Sequence, residues 1–160
     1  MGTTAKLWKK GRGKLGAFDP LLGAWFAEAG SPMGPIRCQR TFEPILAGKY
    51  LRLTARWAIG RGERKKIYEE EAVIGAGDGG AVTFWSFTSD GKRSQGTLAD
   101  VKDLHPEAVG FEARMPAGLA RMAYWPAEEG GFHFVVEAKK KKGWGRFVDH
   151  HYRPLLLGSE

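Results

Sequence analysis

The chain has 160 residues, 42 % of them apolar, with nine Phe, six Trp and four Tyr. That is one domain's worth of sequence and excludes a disordered chain. A single cysteine, Cys38, excludes an internal disulfide framework and an all-cysteine zinc site. The net charge of +7 is concentrated, because residues 1–14 and the tetrad Lys139, Lys140, Lys141, Lys142 hold nine cations and no acid, leaving 16 cations against 18 anions elsewhere.

The basic balance therefore reads as a tail and one tetrad rather than a basic groove, and no specific nucleic-acid partner is expected. Weak, salt-sensitive contact of the tetrad with an anionic surface is the partner reading it allows. No apolar run approaches the roughly 20 residues of a membrane-crossing helix. No apolar segment follows the basic start, so no secretory signal is read and a cytoplasmic location is expected.

Residues 1–16 read as a basic, mobile tail, 17–155 as one domain and 156–160 as a C-terminal tail. The one helical candidate is the turn Asp19-Pro20-Leu21-Leu22, with Asp as cap and Pro in the first turn. Strands are predicted near 23–30, 36–43, 48–59, 65–75, 81–88, 92–100, 108–115, 118–126, 131–139 and 143–153. Alternation supports several of them. Leu51, Leu53, Ala55, Trp57 and Ile59 share one face, and so do Phe132, Phe134, Val136 and Ala138. Glycine-rich punctuation separates the runs, and Asp90-Gly91 predicts a tight type I′ hairpin. Ten strands in local hairpins leave two exposed edges unless the sheet closes. The expected fold is all-β: a single antiparallel up-and-down barrel of about ten strands with one short N-terminal helical turn.

Leu21-Leu22-Gly23-Ala24-Trp25, a short turn followed by Gly-x-Trp at the first strand, resembles the opening motif of lipocalins and their calycin relatives. With Phe42 through Gly48, Tyr50 and Asp90-Gly91, the chain is similar to bacterial calycin-like proteins of unassigned function. The resemblance implies a barrel whose base is closed by Trp25, with Arg153 of the last strand across its ring. It also implies a ligand cavity. In fatty-acid-binding-like barrels the last strand carries a polar anion-binding pair, which here would be His150 and Tyr152.

Small barrels are either filled by side chains or enclose one ligand. The candidate cavity residues are Arg52, Arg121, His133, His150 and Tyr152. Arg52 and Arg56 share a face and would anchor an anion only if they pointed inward, against the usual outward placement of strand arginines. Arg121 alternates with Leu119, Ala123 and Trp125 on an apolar-reading face. His150 and His151 are adjacent, so they face opposite sides and cannot chelate one metal. Glu69-Glu70-Glu71 reads as a solvated, charge-balanced strand beside Arg64, Lys65 and Lys66. Gly75 through Gly80 reads as a turn, because the Gly-Lys-Ser/Thr ending of a phosphate loop is missing. No catalytic residue is singled out. The expected function is binding of a small apolar or amphipathic ligand in a barrel cavity, with no required cofactor. The alternatives are a haem-binding, nitrobindin-like barrel, an enzyme acting on a cavity-bound substrate, and an interaction module with a filled barrel.

Overall fold

The computed structural model describes residues 8–155. Ten strands run β1 (Gly23–Ala29), β2 (Ile36–Ile45), β3 (Tyr50–Ile59), β4 (Lys66–Ala76) and β5 (Val82–Thr88). They continue as β6 (Arg93–Ala99), β7 (Val109–Met115), β8 (Gly118–Pro126), β9 (Phe132–Lys140) and β10 (Gly143–Pro154). Every sequential pair is antiparallel, and β1 pairs with β10, so the sheet closes into an up-and-down barrel with no free edge. Among the described residues, helical structure amounts to three short 3-10 turns at Gly16–Leu21, Gly62–Arg64 and Asp78–Gly80.

The first of these turns plugs one end of the barrel. Phe18 and Leu21 are fully buried beneath it, and Trp25 lies beside them in the core. The Trp25 indole N–H donates to the Leu21 carbonyl at 2.7 Å and its ring meets Phe132 edge-on. Asp19 is not the cap the sequence suggests: it lies inside the turn, which begins at Gly16 and has no side-chain cap hydrogen bond.

The expected Arg153–Trp25 stack is also corrected. Directly opposed residues in an antiparallel pair point to the same face. The seam register sets Trp25 against Pro154 and Phe26 against Arg153. Arg153 thus lies outside, over the Phe26 ring at 5.3 Å, while Trp25 points in.

Of the expected N-terminal tail, residues 1–7 lie outside the described residues, as does 156–160. Trp8 and Leu15 pack against the core. Gly11 donates its backbone N–H to the Gly16 carbonyl, and Lys14 reaches the Gly80 carbonyl. Residues 8–16 thus line the closed end.

Two turns differ from their sequence reading. At Asp90-Gly91 only Gly91 has positive φ, so the loop is three residues long, with Gly91 in the left-handed position. Asp90 supports it by accepting from Thr88 Oγ1 and the Lys92 backbone N–H. In the β2–β3 turn, Leu46 and Ala47 adopt φ of 52° and 59°, left-handed geometry that branched or β-carbon-bearing residues resist.

Replacing Leu46→Asn together with Ala47→Gly should raise stability by about 1 kcal/mol, read by denaturant unfolding. Trp25→Ala should cost about 3–5 kcal/mol in the same assay, because it leaves a cavity over the plug.

Candidate functional site

Residues two apart on a strand share a face, and the inward set of β2 is Cys38, Arg40 and Phe42. Arg40 is therefore a guanidinium inside an apolar barrel, only 2 % exposed. Such a charge is tolerable only with partners around it. Its Nε donates to the Tyr124 hydroxyl and one terminal nitrogen to the Tyr152 hydroxyl, both at 3.3 Å. The guanidinium lies 4.1 Å from the Phe134 ring centre. Its other terminal nitrogen is 3.8 Å from Glu70, a charge contact longer than a hydrogen bond. Glu70 in turn accepts from Ser86 at 2.5 Å. Burial alone would push the Arg40 pKa down, but the two tyrosines and Glu70 outweigh it and hold the cation firmly protonated.

Above this cluster the barrel is hollow. A cavity of about 300 Å³ has Arg40, Glu70 and Ser86 among its lining residues, with apolar walls from Trp57, Phe84, Phe111, Met122, Phe134 and Val136. Lys92, Arg93, Met115 and Phe147 also line it, all at or next to the hairpins farthest from the Trp25 plug. The site has an apolar body, a polar floor and a basic rim, with four lysine or arginine residues in its lining, Arg40, Lys92, Arg93 and Arg121, against Glu70. The Arg121 guanidinium is itself met by Asp103 and Glu137.

Of the sequence candidates, Tyr152 and His150 face inward. Tyr152 is fully buried, and burial raises its pKa, so it stays a neutral hydroxyl partner for Arg40. His150 is buried beside the cavity, 3.8 Å from the Cys38 sulfur and edge-on to Trp57. Burial and then the Arg40 charge lower the His150 pKa, against a smaller opposing pull from Asp149. Burial likewise raises the Cys38 thiol to about 11, so it is a neutral thiol at physiological pH and not a nucleophile.

The other three candidates point outward. Arg52 is an exposed outer-face residue, bonded to Glu71 at 2.8 Å and near Glu43 at 3.8 Å. Its neighbours Leu51 and Leu53 take the inward positions. His133 lies on the outer face between Trp125 and His151. Arg121 is buried, as its apolar face suggests, but on the outside of the barrel. The segment between β6 and β7 folds over β8 and β9, and Val101 and Ala108 cover Ala123 and Val135 in a second small core. There Arg121 forms a double hydrogen bond with Asp103 and bonds Glu137 at 2.9 Å, with its guanidinium 4.3 Å from the Trp144 ring centre.

The register shift between Arg146 and Val148 changes the side-chain parity of β10. Arg146 therefore joins this outer network, bonding Glu137 and Asp149, while Phe147 lines the cavity. Strict alternation along β10 would put Arg146 with His150 and Phe147 with Asp149.

No residue of the cavity lining is a histidine. The haem alternative thus has no imidazole ligand in the cavity, and the residues present do not fit that group. Among the described residues, no cluster of three metal-binding side chains occurs. Arg40 and Glu70 were missed by sequence reasoning. The signal for Arg40 was its parity with Cys38 and Phe42. For Glu70 it was parity with Ala72 and Ile74. No family model matches the chain, and no curated protein matches it.

Two outcomes follow. Arg121→Ala should cost about 3 kcal/mol, read by denaturant unfolding, because Glu137 keeps only Arg146 in a buried setting. The burial-lowered pKa values of His150 and His133 also give a pH dependence. The folded state binds fewer protons than an unfolded chain titrating near 6.5, so stability falls as pH drops below about 6.5. The melting temperature should fall between about pH 7 and pH 5.5. His150→Gln should flatten that slope, and a wild-type slope of opposite sign would contradict the burial of His150.

Proposed function

We propose that this protein is a calycin-like barrel that binds one small amphipathic anion in its interior. The observation that carries the reading is the hollow above Arg40: about 300 Å³ of mostly apolar space ending on a buried, protonated guanidinium. An apolar body would lie along Phe84, Phe111, Met122 and Phe134, exchanging hydration for aromatic contact. A carboxylate or similar head would accept from the Arg40 terminal nitrogen that lacks a close hydrogen bond to Glu70. With the Arg121 charge met by Asp103 and Glu137, the other three basic lining residues against one acidic residue favour an anion over a cation. The plug at Trp25 and the closed sheet keep water from the floor, where such a bond is strongest. The free, buried thiol of Cys38 is in keeping with a reducing compartment, and the proposal places the protein in the cytoplasm.

Native mass spectrometry of mildly purified protein should show a co-purified small mass or, after delipidation, one-to-one uptake of an aromatic sulfonate probe. Ala113, a small residue of the cavity wall, supplies the control. Ala113→Trp should fill the space and abolish probe uptake with the strand-rich circular dichroism unchanged. Undiminished uptake by that variant would place the binding elsewhere.

A further inference from the structure

The barrel's two ends differ in charge. The hairpins β1–β2, β3–β4, β5–β6, β7–β8 and β9–β10 all lie at the open end. Together with the strand residues that border them, positions 30–35, 60–66, 88–93, 114–118 and 139–143, they carry eleven basic side chains against two acidic ones, Glu63 and Asp90. Lys141 and Lys142 form the β9–β10 turn itself, flanked by Lys139 and Lys140. The β3–β4 hairpin adds Arg61, Arg64 and Lys65. The loops at the plugged end, 45–50, 76–82, 99–109 and 126–132, instead hold two basic and six acidic residues, and the packed segment 8–16 brings that end close to balance. Seven of the eleven open-end cations belong to what the sequence reads as a near-neutral body; the fold gathers them around the mouth.

The same end carries exposed apolar side chains. Phe147 is 66 % exposed, Met33 62 % and Phe87 56 %, with Ile67 and Met115 less so. Met33 lies within the β1–β2 hairpin, Met115 ends β7, and Phe147 sits at the β10 bulge, lining the cavity while facing solvent. Water-exposed Phe and Met ringed by lysine and arginine match an interface with an anionic bilayer, where the cations meet headgroups and the apolar tips enter the acyl boundary. An anionic polymer would satisfy the cations and leave the apolar tips in water.

We propose that the open end docks on the surface of an anionic phospholipid membrane, with the cavity mouth facing the lipid. Charge orients the barrel, since among the described residues only one end is strongly basic, and the hairpin tips anchor it. The docking does not require an occupied cavity, so it stands or falls apart from the ligand proposal.

The test is co-sedimentation with vesicles of phosphatidylcholine containing about 30 mol % phosphatidylserine, against phosphatidylcholine alone. Binding is expected to the anionic vesicles in about 50 mM salt, weakened at least about tenfold in about 300 mM salt. Replacing all four of Lys139–Lys142 by Gln should weaken it by about tenfold or more. Phe147→Ser, with every charge retained, should weaken it severalfold, and Ala113→Trp should leave it intact. Failure to bind anionic vesicles at low salt would overturn the proposal. So would indifference to both the lysine and the Phe147 substitutions, or tighter binding to a single-stranded oligonucleotide at equal salt.

Discussion

Arg40 is the constraint around which the interior is organised. A guanidinium inside a barrel must be met by acceptors or by aromatic faces, because the cost of an unpaired buried charge exceeds what one packed side chain contributes. Tyr124, Tyr152, Phe134 and Glu70 come from four different strands, and each contacts this one group. Their convergence fixes the relative placement of β4, β8, β9 and β10 around β2. It also ends the apolar core partway along the axis. On the plug side lie Phe18, Leu21, Trp25 and Phe132, closely packed, while on the other side the space stays open.

The outer face has its own organising group. Arg121, bound to Asp103 and Glu137 and stacked near Trp144, ties the segment after β6 to the wall formed by β8, β9 and β10. Val101, Ala108, Ala123 and Val135 then bury apolar surface that would otherwise leave one side of the barrel greasy. Two buried arginines therefore divide the work: Arg40 shapes the cavity and Arg121 holds its wall. Alternation alone cannot tell these cases apart, since both are arginines on strand faces with apolar neighbours.

Strand positions, hairpin connectivity, closure and the burial of Trp25 were all legible in the sequence, because period-two apolarity and glycine turns are local signals. What was not legible depends on more distant geometry. The Arg153 placement turns on the register of the β1–β10 seam, which joins residues more than a hundred positions apart. The β10 bulge shifts parity by one residue and so exchanges the sides of Arg146 and Phe147. Val135 lies on the outer face and is buried because a distant segment folds over it, and Glu137 beside it is held by Arg121 and Arg146. Arg40 and Glu70 carried a usable parity signal, but charged residues default to the outside, and that prior concealed them.

The central claim is that Arg40 makes the cavity selective for an anionic head. Calorimetric titration of the delipidated protein with decanoate and with decanol tests it most directly, comparing wild type with an Arg40→Met, Glu70→Gln double variant that removes both charges together. The account predicts that wild type binds decanoate at least about tenfold more tightly than decanol, about 1.4 kcal/mol, and that the double variant loses this preference while still binding decanol. Equal affinity of wild type for the two ligands, or a preference that survives in the double variant, would contradict it.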